Sequence, residues 1–197
     1  MLPSIVTVNK QGRNVSDIAT AEFNECRKVF LIGEITEQSA MDIVLQLDYL
    51  SRVSDEPITM VISSGGGSVS AGFAIIDAMK RSGVDIITVV TGLAASMAAV
   101  IASCGTKGKR RITPYAEMMI HQPLGGISGQ ATDIENSAHH IVATKKRLSL
   151  LLSDNTGKPL KKILSDCERD YYLTAQEAIS YGLADGFFES EELSAAV

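Results

Sequence analysis

The sequence predicts an α/β fold made of layers, with largely parallel strands joined by helical crossovers. Three observations predict it. Short β-branched apolar runs alternate with stretches whose apolar residues recur every three or four positions. Glycine-bearing breaks, Ser63 to Ser68 and Gly92, stand between strand-like and helix-like stretches. The chain of 197 residues is 45% apolar with a net charge of only -5, which suits one domain with a real core and excludes a disordered protein.

The elements follow in order. Residues 29–32 form a short apolar strand. Over 37–50, Ala40, Ile43, Leu47 and Leu50 share one face at helical spacing, with Val44 beside them. A second strand, 58–62, runs into the glycine-rich turn Ser63-Ser64-Gly65-Gly66-Gly67-Ser68. Residues 69–80 are helical, with Phe73, Ile76 and Met79 on one side. Strand 86–91 follows, then helix 95–103, and a strand over 118–120 ends at His121. Strand and helix in strict alternation imply parallel pairing through crossovers. Beyond His121, the stretch Leu124 to Gly129 is flexible. A long helical pattern over 131–152 then carries Ile134, Ala138, Ile141, Leu148 and Leu152, with Lys145, Lys146 and Arg147 largely off that stripe. A helix this long projects from the head, and its stripe must meet something, such as another subunit. The plainer alternative is an outer helix packed on its own sheet. Thr174 and Glu177 form a capping box for a helix over 175–181, closed by Gly182.

Composition excludes several functions. Cys26, Cys104 and Cys167 are few, odd in number and without a CxxC pair, so neither a disulfide framework nor a zinc site is expected. Free thiols point to a reducing compartment, the cytoplasm. His139 and His140 lack a spaced third ligand, so neither metal nor other cofactor is expected. The acidic balance argues against nucleic acid, and Lys107, Lys109, Arg110 and Arg111 read as a solvated turn. The uncharged run 86–105 is long enough for a membrane span, but Gly92 and its Ala, Ser and Thr content divide it into a buried strand and a buried helix. The segment Met1 to Lys10 has no basic flank and no long apolar stretch, so no signal peptide is expected.

Few residues carry chemistry. Ser96 lies where a strand turns into a helix, among Ala94, Ala95, Met97 and Ala98. Such a turn presents a side chain at the carboxyl edge of the sheet, beside free helix N–H groups suited to an oxyanion. The surrounding residues are not the G-x-S-x-G elbow. The bland alternative is a Ser that caps its helix. Gly65-Gly66-Gly67 lets backbone N–H groups approach a ligand, but the spacing fits neither a P-loop nor a dinucleotide fingerprint, and a plain turn is equally compatible. His121 at a strand end suits a general base, or a satisfied core histidine. Asp166, Glu168, Asp170 and Asp185 all qualify to orient it, and spacing does not choose among them.

Read together, several blocks resemble one family. They are Val29-Phe30-Leu31-Ile32-Gly33, Gly66-Gly67-Ser68-Val69 with Ala71-Gly72, and Gly92-Leu93-Ala94-Ala95-Ser96-Met97-Ala98. Met119-Ile120-His121-Gln122-Pro123-Leu124-Gly125-Gly126, Gly129 to Glu135 and Arg169-Asp170-Tyr171-Tyr172-Leu173-Thr174-Ala175 complete the set. In this order they resemble ClpP, the proteolytic subunit of the Clp protease, from about Val29 to Asp185.

The resemblance implies a ClpP/crotonase-like α/β spiral of β-β-α units with a protruding handle helix. It implies one peptidase domain over 1–197: an axial segment (1–18), a head (19–122 and 158–190) and a handle strand and helix (123–157). Ser96 becomes the nucleophile, His121 the general base and Asp170 its orienting carboxylate. The N–H groups of Gly67 and Met97 form the oxyanion hole. Leu124, Gly125, Gly126 and Ile127 pair with substrate backbone, and Glu168 and Arg169 lie at a ring interface. The implied assembly is two stacked seven-membered rings, a tetradecamer, or a mixed barrel with a second ClpP-like subunit. Its partner is an AAA+ unfoldase that delivers unfolded polypeptides.

Two departures stand out. Gly65 and Ser63 replace the family's Pro and Asn in the glycine turn, which loosens it. Thr59, Val61, Arg81 and Arg111 replace aromatics of the unfoldase-docking pocket, which disfavours docking and suggests a divergent paralogue. Two other readings compete: a crotonase-type hydratase or isomerase acting on acyl-CoA, and an inactive scaffold subunit of a mixed barrel.

Overall fold

The computed structural model describes residues 4–9 and 12–189. Parts of the expected axial segment (1–3, 10 and 11) and the last head residue, 190, lie outside the described residues. The chain opens on a hairpin that the sequence reading does not contain. Strands β1 (Ser4–Asn9) and β2 (Gly12–Asp17) pair antiparallel, Ser4 opposite Asp17. Helix α1 (Ile18–Cys26) starts at Asp17, whose carboxylate accepts the Thr20 N–H at 2.8 Å.

The head is a parallel sheet backed by helices. Strand β3 (Lys28–Ile35) leads through a Thr36–Ser39 capping box into α2 (Glu37–Val53). Strand β4 (Ile58–Gly67), helix α3 (Val69–Arg81), strand β5 (Ile86–Ala95) and helix α4 (Met97–Ser103) follow. β3, β4 and β5 lie side by side and parallel, as the strand–helix alternation predicts. Val29 and Leu31, Ile58, Met60 and Ile62 are buried in one core with Ala40, Ile43, Leu47 and Leu50 of α2 and Ile75 and Met79 of α3. α4 is buried on every side, which explains why it is all apolar but for Ser103.

Several boundaries run past the sequence reading, among them the end of β5, which continues through Gly92, and two differences bear on the site. The glycine-rich stretch is not a turn. β4 continues through it, with Gly66 and Gly67 paired to Glu34 and Ile35 beyond a bulge in the ladder. Ala95 belongs to β5 rather than to the helix, because it is still paired with Met119.

The second half wraps back onto the first. β6 (Arg110–Ile112) and β7 (Glu117–Ile120) share one edge of β5, β6 against Thr88 to Val90 and β7 against Leu93 to Ala95. Then come α5 (Ala131–Thr156), α6 (Leu160–Asp166), β8 (Tyr171–Thr174), α7 (Ala175–Tyr181) and β9 (Gly186–Phe187). β8 pairs antiparallel with β7, and β9 pairs parallel with β6. The first turns of α5 are exposed, and the helix becomes buried only at Leu148, Ser149 and Leu152. The expected handle strand forms no ladder over 121–130, because a strand exists through its partner and the single chain offers none there.

The basic turn is not simply solvated. Arg110 is 4% exposed and donates to Asp185 from both Nε and Nη2, while Lys109 pairs with Asp85. No helix among the described residues is long and apolar enough to cross a membrane.

Candidate active site

Three strand ends meet at one point, and their registers decide which side chains share it. Ala95 on β5 stands beside Met119 on β7, so Ser96 comes next to the end of β7 and donates its N–H to the Met119 carbonyl at 2.8 Å. Ile120, the last residue of β7, pairs with Tyr171, the first of β8. In an antiparallel pair the residue after one and the residue before the other become neighbours. Those residues are His121 and Asp170.

The side chains close the arrangement. His121 Nε2 lies 2.8 Å from Ser96 Oγ, and His121 Nδ1 lies 3.0 Å from Asp170 Oδ1. With the ring proton on Nδ1, donated to Asp170, Nε2 is left to accept the Ser96 hydroxyl proton. The remaining carboxylates are engaged elsewhere. Asp166 accepts from Tyr181 and Lys162, Glu168 from Lys145, and Asp185 from Arg110. The choice that spacing leaves open is thus made by pairing in space. The His121 side chain is 13% exposed and that of Asp170 58%, so this carboxylate faces solvent in the single chain.

Ser96 holds the N-cap position of α4, but its side chain does not cap the helix. It precedes Met97 with φ 57° and ψ −124°, and its hydroxyl makes no capping bond. This left-handed backbone is strained for a residue with a Cβ and turns Oγ away from the helix toward His121. Room for it comes from β4. Gly66 has φ +97°, and a Cβ there would stand 2.8 Å from both the Ala95 carbonyl and Ser96 Cβ. Gly67 has φ +148°, and a Cβ there would run into the Ile35 backbone. The Met97 N–H, at the first turn of α4, has no intrahelical acceptor to reach. The Met97 side chain packs where a Cβ on Gly72 would go.

A small cavity lies beside Ser96, walled mainly by Val69, Met97, Pro123, Lys145, Leu148 and Cys167. Burial, with the nearby Asp166 charge, pushes the Cys167 thiol up to about 11, so it holds its proton at neutral pH and is no rival nucleophile. The residues 124–127 expected to bind substrate leave this cavity as an unpaired stretch, with Leu124 and Ile127 exposed. Among the described residues no His, Cys, Asp and Glu cluster is arranged to hold a metal ion.

Arg81 holds both carboxylate oxygens of Asp48, and Arg111 donates to the Gly108 carbonyl. Arg81 is therefore a paired charge rather than the bare cation its sequence position suggests. Sequence reasoning did not single out Lys145 or Gln122. Lys145 lies off the apolar stripe of its helix and carries no local mark of an inward contact.

Known proteins resemble this chain over nearly its whole length. The family model for Clp protease matches residues 10–191. The chain is 42% identical over 193 residues to the ATP-dependent Clp protease proteolytic subunit of Ligilactobacillus salivarius, covering 98% of each chain. It is 41% identical over 196 residues to the subunit of that name from Streptococcus pyogenes serotype M5, covering 98% of this chain and all of the relative.

Proposed function

This chain belongs to the Clp protease family, and on that premise we propose that Ser96, His121 and Asp170 are the triad with which it hydrolyses peptide bonds. The observation that carries the assignment is the continuous pair of hydrogen bonds, 2.8 Å and 3.0 Å, from Ser96 through His121 to Asp170. Ser96 Oγ attacks the scissile carbonyl carbon as His121 Nε2 takes its proton. The C–N bond then breaks, and His121 returns the proton to the leaving amine. Water, deprotonated by the same nitrogen, releases the acyl group. Asp170 holds the ring in the required tautomer and stabilises the imidazolium. The N–H groups of Gly67 and Met97 receive the oxyanion, a role supported by the glycine backbone packed against Ser96 and by the open first turn of α4. Leu124, Gly125, Gly126 and Ile127 pair with substrate backbone by strand addition, which suits a stretch with no partner of its own.

The family reading brings an oligomeric barrel and an AAA+ unfoldase that feeds it. For this chain we assign two stacked seven-membered rings, alone or mixed with a second subunit of the kind, with Glu168 and Arg169 at the ring interface. Docking of the usual unfoldase is weak on this reading, since Thr59, Val61, Arg81 and Arg111 stand where the family's docking pocket carries aromatics and two of the four are cations. The acyl-CoA alternative calls for a Glu base, whereas the base facing Ser96 is His121.

The test is hydrolysis of a fluorescent unstructured polypeptide by the assembled protein. Activity should fall by at least about 10³-fold in Ser96→Ala at unchanged particle size. Hydrolysis that survives Ser96→Ala contradicts the assignment.

A further inference from the structure

One ammonium on the long helix ties together the two segments that carry the base and its orienting acid. Lys145 Nζ donates to Gln122 Oε1 at 2.7 Å and to Glu168 Oε2 at 3.3 Å. Gln122 Nε2 donates to the Glu168 carbonyl at 3.0 Å, and the Gln122 N–H to the Cys167 carbonyl at 2.7 Å. Lys145, Gln122 and Glu168 thus form a closed ring of hydrogen bonds. Gln122 directly follows His121, and Glu168 stands two residues before Asp170.

This ring sits where the strand ladder stops. The last β7–β8 pair is Ile120 with Tyr171, so no ladder bond holds His121 and Asp170 side by side. Burial does not hold them either, because the Asp170 side chain is more than half exposed. What joins the two backbones beyond the ladder is the Gln122–Cys167 bond and the ring closed by Lys145. The ammonium also walls the cavity beside Ser96, so it could instead read the charge of a substrate side chain. Its bonds to Gln122 and to the Glu168 carboxylate already occupy and neutralise it, which favours a role within the protein.

Building on the triad assignment above, we propose that Lys145 is a positioning residue for acyl transfer: through Gln122 and Glu168 it holds the His121–Asp170 pair in register and makes the alignment of that pair depend on the seating of α5. Lys145 touches no reacting atom. Its loss leaves substrate binding intact and slows chemistry.

The experiment measures kcat, KM, native mass and Tm on a neutral fluorogenic peptide. The proteins are the unsubstituted assembly, Lys145→Met, Lys145→Arg, Gln122→Ala and the double variant Lys145→Met/Gln122→Ala. Lys145→Met should lower kcat by about 10- to 100-fold with KM and native mass unchanged. Lys145→Arg should recover part of that loss, since the guanidinium donates to two acceptors at once. The double variant should be no slower than the slower single variant, the mark of residues acting as one unit. Full kcat in an intact Lys145→Met particle overturns the proposal, as does a change confined to KM or strict additivity in the double variant. Should Lys145→Met fail to assemble, Gln122→Ala decides alone: the same loss of kcat supports the proposal and full activity ends it. An unsubstituted assembly without Ser96-dependent hydrolysis overturns the triad assignment itself. An active one that is indifferent to these substitutions overturns only the role of Lys145.

Discussion

Ser96 sits in a backbone conformation that costs roughly 1–3 kcal/mol for a residue with a Cβ, and the neighbouring strand is built to tolerate it. The three glycines of β4 divide this work unequally. Gly66 and Gly67 have positive φ and no room for a side chain, whereas Gly65 has negative φ and open space around it. Gly66→Ala should therefore displace the Ser96 turn and lower kcat by about 10²-fold. Gly65→Ala should keep full activity and raise stability by about 0.4–1 kcal/mol by restricting the unfolded chain. Peptidase assays and thermal melts on the two variants check both outcomes, and equal effects would contradict the division. Ser96 and His121 were legible in the sequence as candidates, one at a strand-to-helix turn and one at a strand end, and resemblance to a family made them nucleophile and base. Asp170 was not legible from its own surroundings. It is chosen by the register of β8, a strand of four residues, and only resemblance to a family pointed to it beforehand.

At the scale of elements, α2 and α7 follow the sequence pattern closely, while β4 and β5 run on through their glycines beyond the apolar runs. Helix α2 buries the four residues its spacing marks, and α7 begins at its capping box. Strands β6, β8 and β9 escape such reading because two to four residues carry no period. Their place is held by pairing and by charge. β6 carries Arg110, which pairs with Asp185 just ahead of β9 and also donates to the carbonyls of Ser103 and Asn155. Burial pushes the Asp185 carboxyl upward. Hydrogen bonds from the Arg110 side chain, with those from the backbone N–H groups of Arg110 and Gly108, outweigh it and hold the group below the ordinary carboxylate range. A carboxyl lowered by folding stabilises the protein above its unfolded pKa, about 4, and loses that contribution as pH falls toward its folded value. Asp185→Asn, which strands a buried guanidinium, should cost about 3 kcal/mol at neutral pH. The gap to the unsubstituted protein should narrow below about pH 4. Denaturant titrations at both pH values check this, and a gap that widens in acid would contradict it.

At the scale of the whole molecule, the single chain leaves much apolar surface uncovered. Phe30 and Ile32 lie on the outer face of β3, and Met41, Leu45, Tyr49 and Val53 form an exposed ridge along α2. A surface of this kind marks contact with other chains, as does the free first half of α5. The sequence predicts a projecting helix from the length of its helical pattern, and the exposed first turns of α5 fit that expectation. It gave no sign of the β3 face, whose alternation of buried and exposed positions appears only once the sheet is assembled. Asp170 is as open to solvent as this surface, its side chain being 58% exposed in the single chain. The proposed hydrolysis needs a hydroxyl made nucleophilic by an imidazole in the assembled protein. A fluorophosphonate probe, applied to the native-mass-resolved particle and located by peptide mass mapping, reads that directly. A single phosphonyl adduct on Ser96 that disappears in His121→Ala is the expected result. An adduct on another residue, or none in any assembled form, would contradict it.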